Sequence, residues 1–182
     1  MRTLPTVLLA LLAGCASTQS ALAPGATPPQ TVVNAPGATG SITISRDNSI
    51  VSAELAAPPA TVWPLVTQAF TDIGIPVDQV DQNARAASAT NQRVRRLAGK
   101  GLGSFFNCAG PFGNTANRDD VFLTLRAQVV PGQGDGSALR ISASAISRSS
   151  TAANTVTDCS SNGELEKLIT QKVGERLGAG TR

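Results

Sequence analysis

Two segments in the second half of the chain alternate between apolar and polar residues. Every second position from residue 121 to 129, and again from 139 to 145, is apolar, with mainly polar or charged residues between. A period of two is typical of a β-strand with one buried side. Residues 131–136, Pro-Gly-Gln-Gly-Asp-Gly, supply a turn between the two segments. The pattern predicts a hairpin in an antiparallel sheet that has one wet face and one face covered by helices.

Two other segments place apolar residues at helical spacing. The first is expected to be capped by Thr61 and to end at Gly74. The second follows Ser161 and Glu164, which have the spacing of a capping box, and ends at Gly178. The sequence therefore predicts two amphipathic helices.

The remaining periodicity is weaker. Residues 42–55 read as a hairpin, 75–80 and 84–90 as two short strands, and 91–115 as mostly loop. Together these patterns predict an α+β domain: an antiparallel sheet of about five or six strands with two helices packed on one face.

The apolar run at residues 3–13 ends in Leu12-Ala13-Gly14-Cys15. It is shorter than the roughly 20 residues that a spanning helix needs, and Pro5 interrupts it. Its composition is that of a signal peptide with a small-residue cleavage site. The four residues resemble the lipobox of bacterial lipoproteins. The resemblance implies that Cys15 is lipidated and becomes the first mature residue, so that acyl chains anchor the chain to a membrane.

The segment after Cys15 differs from the rest of the chain. No residue from 3 to 45 is charged, and residues 16–40 consist mainly of Ala, Ser, Thr, Gly and Pro. Such a segment lacks the apolar periodicity of a core. We therefore expect a leader at 1–14, the lipidated cysteine and a disordered tether at 15–40, an α+β domain at 41–179, and a tail at 180–182.

Composition excludes several kinds of chemistry. The chain has no histidine and no tyrosine, and its formal net charge is +3. Without imidazole there is no histidine base for a serine or cysteine nucleophile and no histidine metal ligand. The small net charge gives no indication of nucleic-acid binding. We expect no metal and no cofactor.

Besides Cys15, the chain has two cysteines, Cys108 and Cys159. An even pair in an exported protein predicts a structural disulfide, because oxidation is favoured outside the cytoplasm. A redox or metal-binding pair is the alternative, although neither cysteine belongs to a C-x-x-C motif.

The densest group of cations is Arg93, Arg95, Arg96 and Lys100, in a glycine-bearing segment. These side chains are candidates for contact with the phosphates of a lipid headgroup or of lipopolysaccharide. The alternative is a solvated surface loop. The segment lacks the Ser or Thr that follows the lysine of a phosphate-binding loop, so nucleotide binding is unsupported.

Three pairs of acidic residues are candidates for acid–base catalysis: Asp119 with Asp120, Asp78 with Asp81, and Glu164 with Glu166. Each pair lies at a strand start, a turn or a helix start, where carboxylates commonly accept backbone hydrogen bonds. We therefore expect no catalytic constellation.

The order hairpin, helix, meander and terminal helix resembles the helix-grip arrangement and the BamC-like lipoproteins that accompany the outer-membrane β-barrel assembly machine. The stretch Cys159-Ser160-Ser161-Asn162-Gly163-Glu164-Leu165-Glu166 is similar to one in uncharacterised envelope lipoproteins. Ala16 and Ser17 follow Cys15 with no Asp in the next position. In enterobacterial lipoproteins, which the motif resembles, this implies sorting to the outer membrane.

The anchor, the tether, the small disulfide-linked fold and the lack of a catalytic constellation predict a non-enzymatic, lipid-anchored envelope protein, and the resemblances imply a location at the periplasmic side of the outer membrane. Its partners would be the membrane, through the lipid, and another envelope protein, in outer-membrane assembly or maintenance. The alternatives are a carrier or sensor with an apolar pocket between helix and sheet, and a carboxylate-dependent enzyme.

Overall fold

The computed structural model describes residues 30–33, 42–47, 50–110, 113–149 and 155–180. The predicted leader, the lipidation site Cys15 and all of the predicted tether apart from residues 30–33 lie outside these ranges.

The described chain contains short and long β-strands, two α-helices and a single 3₁₀ turn at Leu102–Ser104. In chain order the elements are β1 Gln30–Val33, β2 Ile42–Asp47, β3 Ile50–Leu55, α1 Pro59–Ile73, β4 Gln79–Asp81, β5 Ala86–Val94, β6 Arg96–Leu97, β7 Lys100–Gly101, β8 Phe106–Gly110, β9 Gly113–Asn114, β10 Asp120–Pro131, β11 Ser137–Arg148, β12 Val156–Ser161 and α2 Glu164–Ala179.

One antiparallel sheet contains ten of the described strands, in the order β1-β2-β3-β11-β10-β5-β4, with β12, β8 and β9 branching from β11. β11 pairs with β10 along its full length. Its other edge is divided, because residues 137–142 pair with β3 and residues 145–148 pair with β12. The predicted α+β class is confirmed, and the sheet has more strands than the five or six expected.

The β10/β11 hairpin has the predicted alternation. Leu125 lies opposite Ala143, and both are buried, whereas the neighbouring Arg126 is exposed. Helices α1 and α2 pack against each other and against the apolar side of these strands. The core between helices and sheet is built from completely buried side chains, among them Phe70, Leu125, Leu139, Ile141, Ile169 and Val173.

Helix α1 begins at Pro59, before the expected cap Thr61. Proline suits this first position because its φ is already helical and it lacks an N–H that would have no partner there. The helix ends at Gly74 as predicted, with φ +84°. The Ile75 N–H donates to the Phe70 carbonyl and the Gly74 N–H to that of Thr71, which is the Schellman pattern.

The capping box predicted for α2 is wrong. The residue before the helix is Gly163, whose φ of +90° favours glycine. The Ser161 hydroxyl donates to the carboxylate of Glu166, which is 1% exposed, and accepts the Gly163 N–H at 3.1 Å, not the Glu164 N–H of a capping box. Asn162 takes the capping role in part, because its Oδ1 accepts the Glu164 N–H at 3.0 Å.

Three segments differ from the sequence-based expectation. The two strands expected at 75–80 and 84–90 are β4 and β5, and β5 continues to Val94. Asn91, with φ +52°, lies at a bulge opposite Leu123–Leu125 that interrupts the alternation. Much of 91–115 is therefore strand or 3₁₀ turn instead of loop. Within the expected tether, β1 pairs with β2, consistent with the β-branched residues in its Gln-Thr-Val-Val sequence.

Candidate functional site

The side of the sheet opposite the helices is open in the described chain, and we call it the open face. Its central residues come from β10 and β11, and the β3 and β5 strands extend it. Strand register places Arg126 opposite Ser142 and Gln128 opposite Arg140. Exposed cations and uncharged polar side chains therefore share this surface. The sequence predicted a wet face here but not which of its side chains are neighbours.

At the rim of the open face, the Asp120 carboxylate accepts hydrogen bonds from two arginines. Arg93 Nη2 donates to both carboxylate oxygens, at 2.8 and 2.9 Å, and Arg95 Nη2 donates to Oδ1 at 2.7 Å. The hydrogen bond from Arg93 is the largest influence on the carboxyl group and lowers the pKa of Asp120 below its ordinary value of 3.8. Desolvation opposes this shift, and the charges of the two arginines add to it. Two of the four candidate anion-binding cations thus already have a carboxylate partner.

The other two candidate cations lie in the β6–β7 hairpin. Its turn is formed by Ala98 and Gly99, both with positive φ. The Arg96 guanidinium donates to the Gly99 carbonyl, so it closes the turn. Lys100 is exposed. The predicted cluster is therefore divided between an ion-pair group around Asp120 and a structural contact in a turn.

Phe122 and Ile146 form an apolar pair that the sequence did not single out. They are direct partners on the open face, both half-buried. The guanidinium carbon of Arg148 lies 4.9 Å from the centre of the Phe122 ring, a cation–π contact. With Thr124 and Asp158 they line a concavity of about 260 Å³.

The predicted disulfide is present. Cys108 on β8 and Cys159 on β12 are direct cross-strand partners with sulfur atoms 2.01 Å apart and Cα atoms 4.2 Å apart. The Cys108 N–H donates to Asn114 Oδ1 at 3.0 Å, and Asn114 Nδ2 donates to the Phe106 carbonyl at 2.8 Å. The disulfide and this amide together hold β8 against the end of the sheet.

Three aromatic side chains of the middle of the chain pack in the interior. Phe105 and Phe106 are 2% and 0% exposed. Trp63 is buried, and its Nε1–H donates to Gln82 Oε1 at 2.7 Å. All three belong to the core between the helices and the sheet.

The other candidate acidic residues bind backbone N–H groups or cations. Asp81 Oδ1 accepts the N–H groups of Asn83 and Ala84, each at 2.9 Å, and Asp78 Oδ2 accepts the Thr90 N–H at 2.7 Å. Asp119 is buried, with one oxygen 3.5 Å from Nε of the neighbouring Arg118. Glu164 forms an ion pair with Lys167 at 3.8 Å. The contacts of Asp81 and Glu164 are those expected for carboxylates at a turn and at a helix start.

Neither helix in the described ranges is long and apolar enough to cross a membrane. The chain matches no protein-family model and none of the curated proteins at significance.

Proposed function

We propose that this chain is a lipid-anchored protein of the cell envelope whose α+β domain presents the open face of its sheet to another envelope component. One observation carries the proposal: the bond between Cys108 and Cys159 uses two of the three cysteines, and the third is Cys15 of the lipobox-like motif. A disulfide persists in an oxidising compartment, which is where a lipoprotein domain would be.

The architecture supports a binding role for the domain. Both helices cover one side of the sheet, and the other side presents arginine, serine and threonine side chains to solvent. A tether after Cys15 would let the domain reach a partner while the lipid remains in the bilayer. A location at the periplasmic side of the outer membrane, and a role in assembly or maintenance like that of BamC-like proteins, belong to the same proposal.

Fractionation of cells that express the full chain tests the anchor. The wild-type protein should be found in the membrane fraction with acyl mass on Cys15. Cys15→Ser should lack acyl mass and leave the membrane. The matched control replaces both Cys108 and Cys159 with serine, which removes the bridge and should leave the lipid in place. The proposal would be contradicted if the wild-type protein carried no acyl mass and the Cys15→Ser variant remained in the membrane fraction.

A photoreactive residue tests the display of the open face. Placed at Thr124, which is exposed on β10, it should crosslink to an envelope component in intact cells. The same group at Lys172 on α2, the helix side of the sheet, is the control. Equal crosslinking from both positions would count against a specific role for the open face.

A further inference from the structure

Four side chains of the open face form one row across four strands. Phe122 on β10 lies directly opposite Ile146 on β11. Arg93 on β5 is the register partner of Phe122, and Asp158 on β12 is the register partner of Ile146. Because direct partners in a sheet point to the same side, all four side chains lie on the open face. The row has a cation at one end, an acid at the other and two apolar side chains in the middle.

The acidic end of this row has no cation of its own. Asp158 is exposed and makes no ion pair among the described residues. Arg148, one row away, lies over the Phe122 ring instead. Arg93 is three strands from Asp158, which corresponds to about 14 Å at the usual strand spacing. A cation for Asp158 must therefore come from another molecule.

The row is its own complement under a two-fold rotation. Consider a second copy placed face to face with the first, about an axis that runs along the strands between β10 and β11. The axis reverses the order of the row, so Phe122 lies over Ile146 of the second copy and Arg93 lies over its Asp158. Symmetry repeats both contacts, as in any isologous interface. Apolar side chains then meet in the centre, and opposite charges meet at both sides, which is the arrangement of a typical interface core and rim.

The neighbouring rows are compatible with the same axis. Arg126 is in register with Ser142, and Arg140 is in register with Gln128. The rotation therefore places each of these arginines over an uncharged polar side chain of the second copy. No like charges face each other in these rows, so the repulsion that would oppose face-to-face contact is absent.

An axis across the strands fits less well. With that axis at the row of Thr124 and Ser144, the row of Ile146 would face the row of Ser142 of the second copy. Asp158 would then lie over Ile50, the register partner of Ser142 on β3, and its carboxylate would be covered without a cation. Burial of an unpaired charge is costly. The charges of the open face therefore select the axis along the strands.

The dimensions of the open face suit a dimer. β10 and β11 have 12 residues each. Strands of this length extend about 40 Å, and four neighbouring strands span about 19 Å, so the face offers up to about 750 Å² on each copy. A standard interface buries about 800 Å² per partner. Packed sheets cross at about 30°, so their contact is closest in the middle, where the small pair Thr124 and Ser144 lies.

We propose that the domain forms a symmetric dimer in which the open faces of two copies pack on each other. Arg93 of each copy pairs with Asp158 of the other, on either side of the contact between Phe122 and Ile146. The inference rests on the proposed function, since it names the component that the open face contacts as a second copy of the same chain.

Charge reversal at the two ends of the row tests the pairing. Full-length chains are studied in detergent with micelles in excess over protein, and sedimentation measures the dissociation constant of the dimer. Wild type should be a dimer at micromolar concentrations. Asp158→Arg should raise the dissociation constant at least about tenfold, because it sets arginines against each other at both ends of the row. Arg93→Asp should have the same effect by setting acids against each other, and Arg95 remains to pair with Asp120.

A mixture of the two variants should recover the dimer. One chain contributes two acids to the row and the other contributes two arginines, so opposite charges meet again at both ends. The heterodimer should dissociate with a constant within about threefold of the wild-type value, because the two changes compensate each other across the interface. Within one chain the two positions are farther apart than the screening length, so recovery on mixing requires contact between copies.

The matched control is Glu175→Arg, which changes the charge as Asp158→Arg does but is exposed on α2, on the helix side of the sheet. Its homodimer should dissociate within about twofold of wild type, because exposed charges outside the contact contribute little. Mixed with Arg93→Asp, it should form no more heterodimer than wild type does. A monomeric wild type, an Asp158→Arg variant that dimerises as well as wild type, or a mixture of the two reversal variants without heterodimer would each overturn the inference.

Two further measurements separate this inference from the proposed function. They are the acyl mass on Cys15 and the crosslinks formed from the photoreactive residue at Thr124. A lipidated, monomeric protein whose probe captures a different envelope component would overturn the dimer and leave the proposed function standing. A protein without acyl mass would overturn the anchor proposal, whatever its oligomeric state.

Discussion

The two sides of β10 and β11 share one hydrogen-bonded ladder but have opposite roles. On the helix side, Leu125 and Ile141 are completely buried in the core. On the open side, Arg126 and Arg140 are exposed and have no acidic partner in the described chain. Because burial of apolar area is the main source of stability, the helix side determines whether the domain folds. Substitutions on the open side should change stability much less.

The largest effect should come from a charge placed on the helix side. Leu125→Asp removes a completely buried side chain and buries a carboxylate, which should cost more than about 4 kcal/mol and unfold the domain. Arg126→Asp, one residue away on the open side, should change stability by less than about 0.5 kcal/mol. Urea denaturation measures both, and equal effects would mean that the faces are wrongly assigned.

Loss of the disulfide should have the next largest effect. Cys159 pairs in register with Ala145, a buried residue of the helix side, so the bridge belongs to that side. Its 51-residue separation corresponds to about 4 kcal/mol in the chain-entropy model. Replacing both cysteines with serine should lower the melting temperature accordingly, with the secondary structure kept. An unchanged melting temperature would show that the bridge does not stabilise the domain.

A smaller effect is expected at the surface of the helix pair. Arg176 donates to both carboxylate oxygens of Asp72, at 2.7–3.0 Å, and to Gln68, which ties α2 to α1. Arg176→Gln should cost about 0.5–1 kcal/mol, because the pair is partly exposed. Lys172→Gln breaks only a pair within α2, to Glu175, and should cost a few tenths of a kcal/mol at most. Denaturation curves that rank these two variants in the reverse order would contradict the inter-helix role of Arg176.

The smallest effect should be a pH dependence at the rim of the open face. The pKa of Asp120 is lowered in the folded chain, so its contribution to stability is complete above the ordinary value of 3.8 and is lost as pH falls towards the folded value. Asp120→Asn removes this dependence. Wild type should therefore lose slightly more stability than the variant between pH 5 and pH 2, and parallel curves would show that the arginine contacts do not persist in solution.

The strands with clear alternation could be predicted because the period-two pattern is contained in each strand's own residues and does not depend on its neighbours in the sheet. In β10 and β11 the alternating apolar residues of 121–129 and 139–145 are all buried on the helix side, as the pattern predicts, whereas Phe122 and Ile146 lie on the open face. The second half of β5 could not be predicted in this way. The bulge at Asn91 shifts the register, and Gln92 and Arg93 carry no apolar signal, so a paired strand resembled a polar loop.

The candidate site depended on register, which the sequence does not reveal. Arg93 and Asp120 are 27 residues apart and meet only because β5 pairs with β10. For the same reason, the adjacency of Arg126 and Arg140 follows from the pairing of Gln128 with Arg140 and not from their spacing in the chain. The disulfide was predictable because only two cysteines remain besides Cys15, and because oxidation is favoured in an exported protein.

Peptide mapping of the native protein, isolated from membranes without reduction, tests the central claim most directly. The account predicts two modified fragments: an N-terminal peptide that begins at Cys15 and carries acyl chains, and a linked peptide that joins Cys108 to Cys159. An unmodified Cys15 within an intact leader, together with unlinked Cys108 and Cys159, would contradict it.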